Sequence, residues 1–254
     1  MGIKCIINLL GLINLYSLFT GTSGQKTILV FSSDGENVNL FADDSPTDCA
    51  STSWTYSREL NSDSVELFEN GMKKSGTERD ERLSLGADCS LNIYHATTED
   101  RGVYSFWQYV TKAENLVASV YLHFLQVSPP STTEAEIRPG SSMTLSCQLY
   151  VYDGYPCDHL LTPEGLQLIW VNESGVNLQT DSRFQISSSS SSKHCNISLT
   201  TTLLNEDDST EWRCQISEGS EVKTSVSYTV SFLSKKTKIL MYNLFSPTII
   251  TSLH

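Results

Sequence analysis

Cysteine and histidine are the residues of this chain whose type and spacing come closest to a chemical site. The segments Cys157-Asp158-His159 and His194-Cys195 together offer two cysteines and two histidines, the ligand set of many structural zinc sites. Zinc-binding cysteines usually come in pairs two to four residues apart, however, and these stand singly. A disulfide with two surface histidines nearby is the stronger hypothesis for an exported chain, so we expect no metal and no cofactor.

Catalytic motifs are the next kind of site to consider. The sequence has no Gly-x-Ser-x-Gly elbow, no phosphate-binding glycine loop and no His-Glu-x-x-His motif. The histidines His95, His123 and His254 have no obvious nucleophile near them in the sequence. We therefore expect that the protein is not an enzyme. A triad depends on geometry rather than on chain order, so a secreted enzyme stays as the weakest hypothesis.

The charge of the chain restricts its partners. Its 254 residues include 29 acidic and 17 basic side chains, which give a formal net charge of -12. An acidic field repels phosphate backbones and anionic lipid headgroups, and no cluster of lysine or arginine interleaved with aromatic residues offsets it. The sequence therefore argues against nucleic acid and against an anionic membrane surface as partners.

Residues 1–24 are typical of a cleaved signal peptide. Lys4 supplies the positive start, Cys5 to Phe19 is mostly apolar, and small residues precede Gln25. A membrane anchor is the alternative, but the apolar stretch is short. Export predicts a secreted or extracellular protein and leaves six cysteines in an oxidising route. The sequons at Asn172 and Asn196 fit that route and predict N-glycosylation at both.

The rest of the chain predicts strands. Short runs of alternating apolar residues, separated by Gly, Asn, Asp and Ser, indicate an all-β antiparallel sandwich or barrel. The prolines in Val127-Ser128-Pro129-Pro130-Ser131 predict a boundary between two domains, 25–127 and 128–232. We expect the serine run Ser187 to Ser192 to form a flexible, solvated loop. The tail, 233–254, is expected to be disordered and too interrupted to span a membrane.

The second domain carries a known pattern of residues. Cys147 lies in an apolar strand, Trp170 follows it, and Trp212 stands two residues before Cys214. This pattern resembles the immunoglobulin superfamily, whose inter-sheet disulfide packs on a buried tryptophan. The resemblance implies two immunoglobulin-like β-sandwiches in tandem, the first variable-type and the second constant-like (C2) or variable-like. It also implies an ion pair between Arg183 and Asp208.

The first domain resembles the same superfamily with one departure. Trp54 stands at the position of the core tryptophan and Tyr104 at that of the corner tyrosine, but Phe106 replaces the second cysteine. Counting inward positions places Ala42 at the first cysteine, so the large ring and the small side chain fill the space of the lost disulfide. The resemblance implies a core of Trp54, Tyr104, Phe106 and Ala42, matched by Trp170 and Trp212 in the second domain. It also implies an ion pair between Arg82 and Asp100.

An extra pair of cysteines recurs at equivalent places in the two domains, one before the core tryptophan and one at the start of a later strand. The recurrence within the immunoglobulin pattern predicts the disulfides Cys49–Cys89, Cys157–Cys195 and Cys147–Cys214. With Cys-Ala-Ser-Thr-Ser-Trp and Asp-Cys-Ser-Leu-Asn-Ile, the extra pair resembles a group of two-domain immunoglobulin proteins of bony fish, many of them immune-type surface or secreted proteins.

A surface of the first domain is the candidate binding site. If Tyr104 and Phe106 point inward, alternation turns four residues outward onto one sheet face: Trp107, Tyr109, Tyr121 and His123. Exposed Trp and Tyr side chains are typical of interface hot spots. The alternatives are that the second domain, a glycan or a shifted register covers this face.

The combined pattern predicts an extracellular binding protein. We expect a soluble or truncated immune-type receptor whose partner is a protein ligand or a cell-surface receptor. The alternative is a homophilic adhesion protein, which would form a homodimer through the same face. Fold alone does not decide between them.

Overall fold

The structure of the protein is a computed structural model that describes residues 25–41, 48–59, 62–76, 79–110, 113–130, 136–152, 156–161, 165–190 and 194–232. The expected signal at 1–24, the core position Ala42 and the expected tail at 233–254 lie outside the described residues. Within the described residues, no helix is long and apolar enough to cross a membrane.

The described chain is nearly all-β, as predicted. Its one α-helix is the short α1 (Cys157–Leu161). The strands are β1 (Lys26–Ser33), β2 (Val38–Leu40), β3 (Thr52–Ser57), β4 (Val65–Glu69), β5 (Met72–Lys73), β6 (Leu83–Leu85), β7 (Leu91–Ile93), β8 (Gly102–Val110), β9 (Ala113–Ser128), β10 (Ser142–Tyr150), β11 (Leu166–Asn172), β12 (Gln185–Ser190), β13 (His194–Thr202), β14 (Glu211–Glu218) and β15 (Glu221–Thr229).

These strands form three sheets. The largest has nine strands in the order β12-β13-β10-β9-β8-β3-β4-β5, with β1 also paired to β9. The two smaller sheets have the orders β2-β7-β6 and β11-β14-β15. All pairs are antiparallel except β1 with β9, which is parallel. The arrangement is compatible with β-sandwiches.

Two separate hydrophobic cores lie between the sheets. The first contains Trp54 and Phe106, whose ring centroids are 5.0 Å apart, and Tyr104. The second contains Trp170 and Trp212. All five of these predicted core side chains are at most 1% exposed. Phe106 packs directly on Trp54. The residue that was expected to replace the second cysteine therefore contributes an aromatic contact to the core.

Three disulfides join the described cysteines, and they are the predicted pairs. Their bonds link residues that are 38 to 67 positions apart in the chain, at Cys49–Cys89, Cys147–Cys214 and Cys157–Cys195. Cross-links over loops of this length stabilise by roughly 4 kcal/mol each in the chain-entropy model. Such bonds are typical of proteins that fold in an oxidising compartment.

A buried carboxylate holds the corner before β8. The Asp100 side chain is fully buried and accepts two hydrogen bonds from Arg82, at 2.7 and 2.8 Å, as predicted. It also accepts from the Thr97 backbone N–H at 2.9 Å. Burial alone raises the pKa of Asp100, but the hydrogen bonds from Arg82 and Thr97, together with the charges of Arg82 and Arg79, hold the pKa below its usual value. Tyr104 Oη donates to the Asp100 carbonyl at 2.7 Å, which closes the corner.

The predicted pair Arg183–Asp208 is wrong by one residue. Arg183 Nη1 instead contacts the two carboxylate oxygens of Asp207, at 2.9 and 3.2 Å, and Asp207 accepts from the Leu204 backbone N–H at 2.7 Å. Asp208 is exposed and accepts from the Phe232 backbone N–H. This corner is one residue longer than the first, with Ser209 at a positive φ of 67°, so counting back from Trp212 reaches the wrong aspartate.

The serine run was expected to be a loop, but Ser187 to Ser190 belong to β12; 191–193 lie outside the description. Their backbones pair with β13 from Ser198 to Cys195. Because β12 is an edge strand, its serine side chains stay exposed although the backbone is extended and paired. Polar composition therefore did not prevent a strand at this position.

The Arg82–Asp100 pair gives a stability prediction. Arg82→Ala removes two hydrogen bonds to the buried Asp100 and leaves it the Thr97 backbone N–H and Arg79, whose Nε lies 3.4 Å from the carboxylate. Removing one partner of a buried ion pair usually lowers the free energy of unfolding by about 3–5 kcal/mol. Because Arg79 compensates in part, we expect a loss of about 3 kcal/mol. The measurement is the free energy of unfolding in denaturant.

The matched control is Arg58→Ala, which removes an exposed pair with Glu99. Exposed pairs contribute less than about 1 kcal/mol. Equal losses in the two variants would contradict the assignment of Asp100 as the buried centre of the corner.

Candidate partner-binding surface

Of the four residues predicted to form an exposed face, one is buried and a second packs against a ring of the other half of the molecule. His123 is 0% exposed and stacks on Phe31 of β1, with ring centroids 5.2 Å apart. Tyr121 is partly buried, and its ring meets the edge of Tyr152, in the segment after β10, at 5.8 Å. The placement of His123 on a free binding face is therefore wrong, whereas Tyr121 stays partly exposed beside Tyr152.

The alternation of β1 explains what covers them. Ile28 and Val30 pack against the first core, whereas Leu29 and Phe31, on the opposite side of the strand, pack against the second core. The outward face of β1 and of the neighbouring part of β9 is thus the contact between the two halves of the molecule. Alternation along β9 turned His123 away from the first core, as predicted. That side of the strand is covered by the second half of the molecule and is not exposed to solvent.

The environment of His123 is apolar. Neither ring nitrogen has a hydrogen-bond partner among the described residues. Burial without a partner disfavours the charged imidazolium and lowers the pKa of His123 to about 3. The side chain is therefore a neutral packing element of the contact between the halves.

His123 makes the stability of the protein depend on pH. In the unfolded chain the imidazole titrates near 6.5, so between about pH 6.5 and pH 3 the unfolded state binds a proton that the folded state does not. The stability contributed by neutral His123 is complete above pH 6.5 and decreases as the pH falls. We expect a loss of about 2 kcal/mol between pH 8 and pH 5 from this residue alone.

The measurement is the free energy of unfolding at pH 8 and pH 5 for wild type and His123→Phe, which keeps the ring contact with Phe31 but cannot titrate. The variant should lose less stability on acidification than wild type. The control is His95→Asn, because His95 is exposed and has a positive φ of 48° that asparagine tolerates. An identical pH dependence in wild type and His123→Phe would rule out the role of His123.

The other two predicted residues remain accessible. Tyr109 is 53% exposed, and Trp107 is partly buried, with its indole Nε1 donating to Thr55 Oγ1 at 3.1 Å. Both lie on β8, toward the end that pairs with the start of β9. The hydrogen bond to Thr55 on β3 restrains the Trp107 indole before any partner binds, which reduces the entropy that binding costs.

The strand register adds residues to this surface. Trp107 pairs with Ser53 of β3 on one side and with Leu116 of β9 on the other. Two strands further out, Met72 of β5 is 70% exposed and lies opposite Glu69 of β4. We call this surface the front face and define it by Ser53, Thr55, Met72, Trp107, Tyr109 and Leu116.

A charged group borders the front face. Lys74 contacts the carboxylates of Glu69 and, at 3.6 Å, Glu66. The hydrogen bond to Glu69 is the main cause that raises the pKa of Lys74. The two carboxylates carry more charge than the one ammonium group, so this border has a net negative charge. A negative border suits a partner with basic residues at its rim.

The sequence analysis did not predict Met72 as part of this surface, although the sequence contains a signal for the hairpin that carries it. Asn70-Gly71 joins β4 to β5, with φ of 50° and 73°. Asn-Gly between two extended runs is typical of a type I′ hairpin turn, which requires positive φ at both residues. Any Cβ at position 71 would lie 2.7 Å from the Cys49 carbonyl oxygen, so glycine is required there.

The remaining predicted sites are structurally distinct from the front face. The Asn172 amide oxygen accepts from the backbone N–H groups of Ser174 and Val176, at 3.0 and 2.9 Å, and Asn196 lies on β13. The cysteines of the discarded zinc hypothesis, Cys157 and Cys195, are bonded to each other. The described ranges contain no group of three or more metal-ligating side chains close enough to hold an ion.

No model of a known protein family matches the chain.

Proposed function

We propose that the protein is a two-domain member of the immunoglobulin superfamily. In the first half, the sheet β1-β9-β8-β3-β4-β5 corresponds to the variable-type sheet with its two extra strands, and β2-β7-β6 corresponds to the opposing sheet. In the second half, β12-β13-β10 and β11-β14-β15 correspond to the two constant-type sheets. The buried tryptophans and the disulfide between β10 and β14 support the same assignment.

We further propose that it acts outside the cell as a binding protein that recognises another protein. The observation that carries this proposal is the front face, where Trp107 and Tyr109 stand on the side of the sheet away from the first core. Trp and Tyr are enriched at interface hot spots because they bury a large area at a small cost in conformational entropy. Strand β8 holds both rings at fixed spacing, which favours a flat protein surface as the ligand.

The mode of binding follows from the composition of the front face. Met72 and Leu116 extend the apolar contact on both sides of Trp107, and the acidic border supplies charge at the rim. Such a surface, apolar at its centre and charged at its edge, is the usual anatomy of a transient protein interface. An immune-type receptor or decoy with a heterologous ligand is the function that fits it best.

The test is a binding comparison between two tyrosines of similar exposure. Full-length secreted protein, biotinylated and tetramerised on streptavidin, serves as the probe on arrays of extracellular proteins and on blood leukocytes. Tyr109→Ala should weaken binding by about 30-fold, as expected of a hot-spot aromatic residue. Tyr94→Ala is the control, because Tyr94 is 44% exposed and follows β7 in the opposing sheet.

Three results would contradict the proposal: no binding to any probe target, equal weakening by both variants, or weakening by Tyr94→Ala alone. Analytical ultracentrifugation separates the homophilic alternative. If the wild type is a homodimer and both Tyr109→Ala and Trp107→Ala dissociate it, the ligand of the front face is a second copy of the chain.

A further inference from the structure

The second half has two edge strands on the same side that lack the usual protection against pairing with another chain. Edge strands are normally blunted by charged side chains, proline or bulges. Strand β12 reads Gln-Ile-Ser-Ser-Ser-Ser and β11 reads Leu-Gln-Leu-Ile-Trp-Val-Asn, and neither contains a charge or a proline. By contrast, the edge strand β15 carries Glu221 and Lys223, and the edge strand β5 has only two residues.

The edge of β12 and the first part of β11 border a common groove, whereas the end of β11 is bridged by Val171 to Asn177. It has a volume of about 450 Å³ and is lined by Leu166 and Leu168 from β11, Ile197 from β13, and Ser188 and Ser190 from β12. A groove of this kind accepts an extended strand, because backbone groups are available at its edges and apolar side chains at its floor.

The uncharged, self-complementary sequence of β12 favours a second copy of the chain as the occupant. Two copies with a net charge of -12 repel each other over most of their surfaces. The β11 and β12 edges carry no charge, so two copies meet there with the least repulsion. An edge is also self-complementary, because antiparallel pairing of β12 with β12 of another copy joins identical sequences.

Asn196 lies beside this edge. Its side chain alternates with those of Cys195 and Ile197, which are buried in the second core, so it stands on the outer face of the sheet. Asn196 pairs with Ser189 of β12 in the sheet register. Neighbouring strands are roughly 5 Å apart, so a sugar on Asn196 begins one strand from the edge.

The surroundings of Asn196 suit a carbohydrate. Its Nδ2 donates to Ser198 Oγ at 3.2 Å and to Ser189 Oγ at 3.4 Å, and Ser146 Oγ donates to its Oδ1. Thr144 and Thr200 continue the same face with a 2.9 Å contact between their hydroxyls. Around Asn196 the described neighbours offer hydroxyl groups, so a hydrated sugar can lie beside them.

We propose that an N-linked glycan on Asn196 shields the β11 and β12 edges and prevents the pairing of two copies of the chain through them. The glycan acts by excluded volume, whereas on other edge strands a charge opposes pairing through the cost of its desolvation and a proline through the loss of a backbone N–H donor. Asn172 does not have this role, because it stands at the end of β11 that the chain itself already covers, through the bridge of Val171 to Asn177 and the hydrogen bond from the Asn172 N–H to the Val176 carbonyl.

The experiment compares variants of the full chain secreted from mammalian cells, by intact mass and by light scattering on a sizing column from 1 to about 100 µM. Ser198→Ala removes the sequon but keeps Asn196, and Ser198→Thr keeps the sequon. We expect wild type and Ser198→Thr to carry the glycan and to show no association through this edge. Ser198→Ala should lack the glycan and associate at least tenfold more tightly than wild type.

A second substitution identifies the edge. Ser188 is an exposed β12 residue at the groove, so Ser188→Lys places a charge in it. Added to Ser198→Ala, it should restore the association state of wild type. Asn172→Gln alone should change nothing. If Ser198→Ala is not secreted, endoglycosidase trimming of folded Asn172→Gln protein removes the bulk of the same glycan and should give the same association.

The proposal is overturned if Asn196 is unmodified in wild type, or if loss of its glycan leaves the association unchanged. It is also overturned if Ser188→Lys fails to reverse the association, or if Asn172→Gln has the same effect as Ser198→Ala. These outcomes are independent of the front face, whose binding to a heterologous ligand is measured separately.

Discussion

Strand β9 hydrogen-bonds to three other strands along its 16 residues, and the rest of the structure depends on this sharing. It pairs with β8 from Ala113 to Leu122, with β1 from Ala118 to Leu125, and with β10 from Phe124 to Ser128. Consecutive residues Phe124 and Leu125 belong to the first and the second core, respectively. Because neighbouring side chains of a strand point to opposite faces, the two cores lie on opposite faces of one continuous strand.

This geometry decides which surfaces are available for function. The face of β9 and β1 that points away from the first core must contact the second half, and there Phe31, Tyr121 and His123 are buried or partly buried. The free part of the same face lies at the start of β9, where Trp107 and Tyr109 of β8 stand. A junction made of paired backbone rather than a loose linker holds the front face at a fixed orientation, which lowers the entropy lost on binding.

The sequence predicted the local features and missed those that depend on the junction. The disulfides and the buried tryptophans were predictable because the same pattern recurs in both halves and each disulfide joins two cysteines of one half. The burial of His123 was not, since alternation specifies a side of the strand but not what lies on that side. The Asp207 pairing failed for a simpler reason, because one inserted residue at Ser209 changes the count without changing any motif. The serine strand β12 shows that edge position can override composition.

Amide hydrogen exchange of the native protein across Phe124 to Ser128 tests the shared strand most directly. Backbone N–H groups in a paired strand exchange only when that part of the structure opens, whereas those of a flexible linker exchange at nearly the rate of an unfolded peptide. The account predicts protection in this segment comparable to that of Ala118 to Leu122, in the centre of β9. Exchange at the unprotected rate would show that the halves are joined by a flexible linker and would contradict the account.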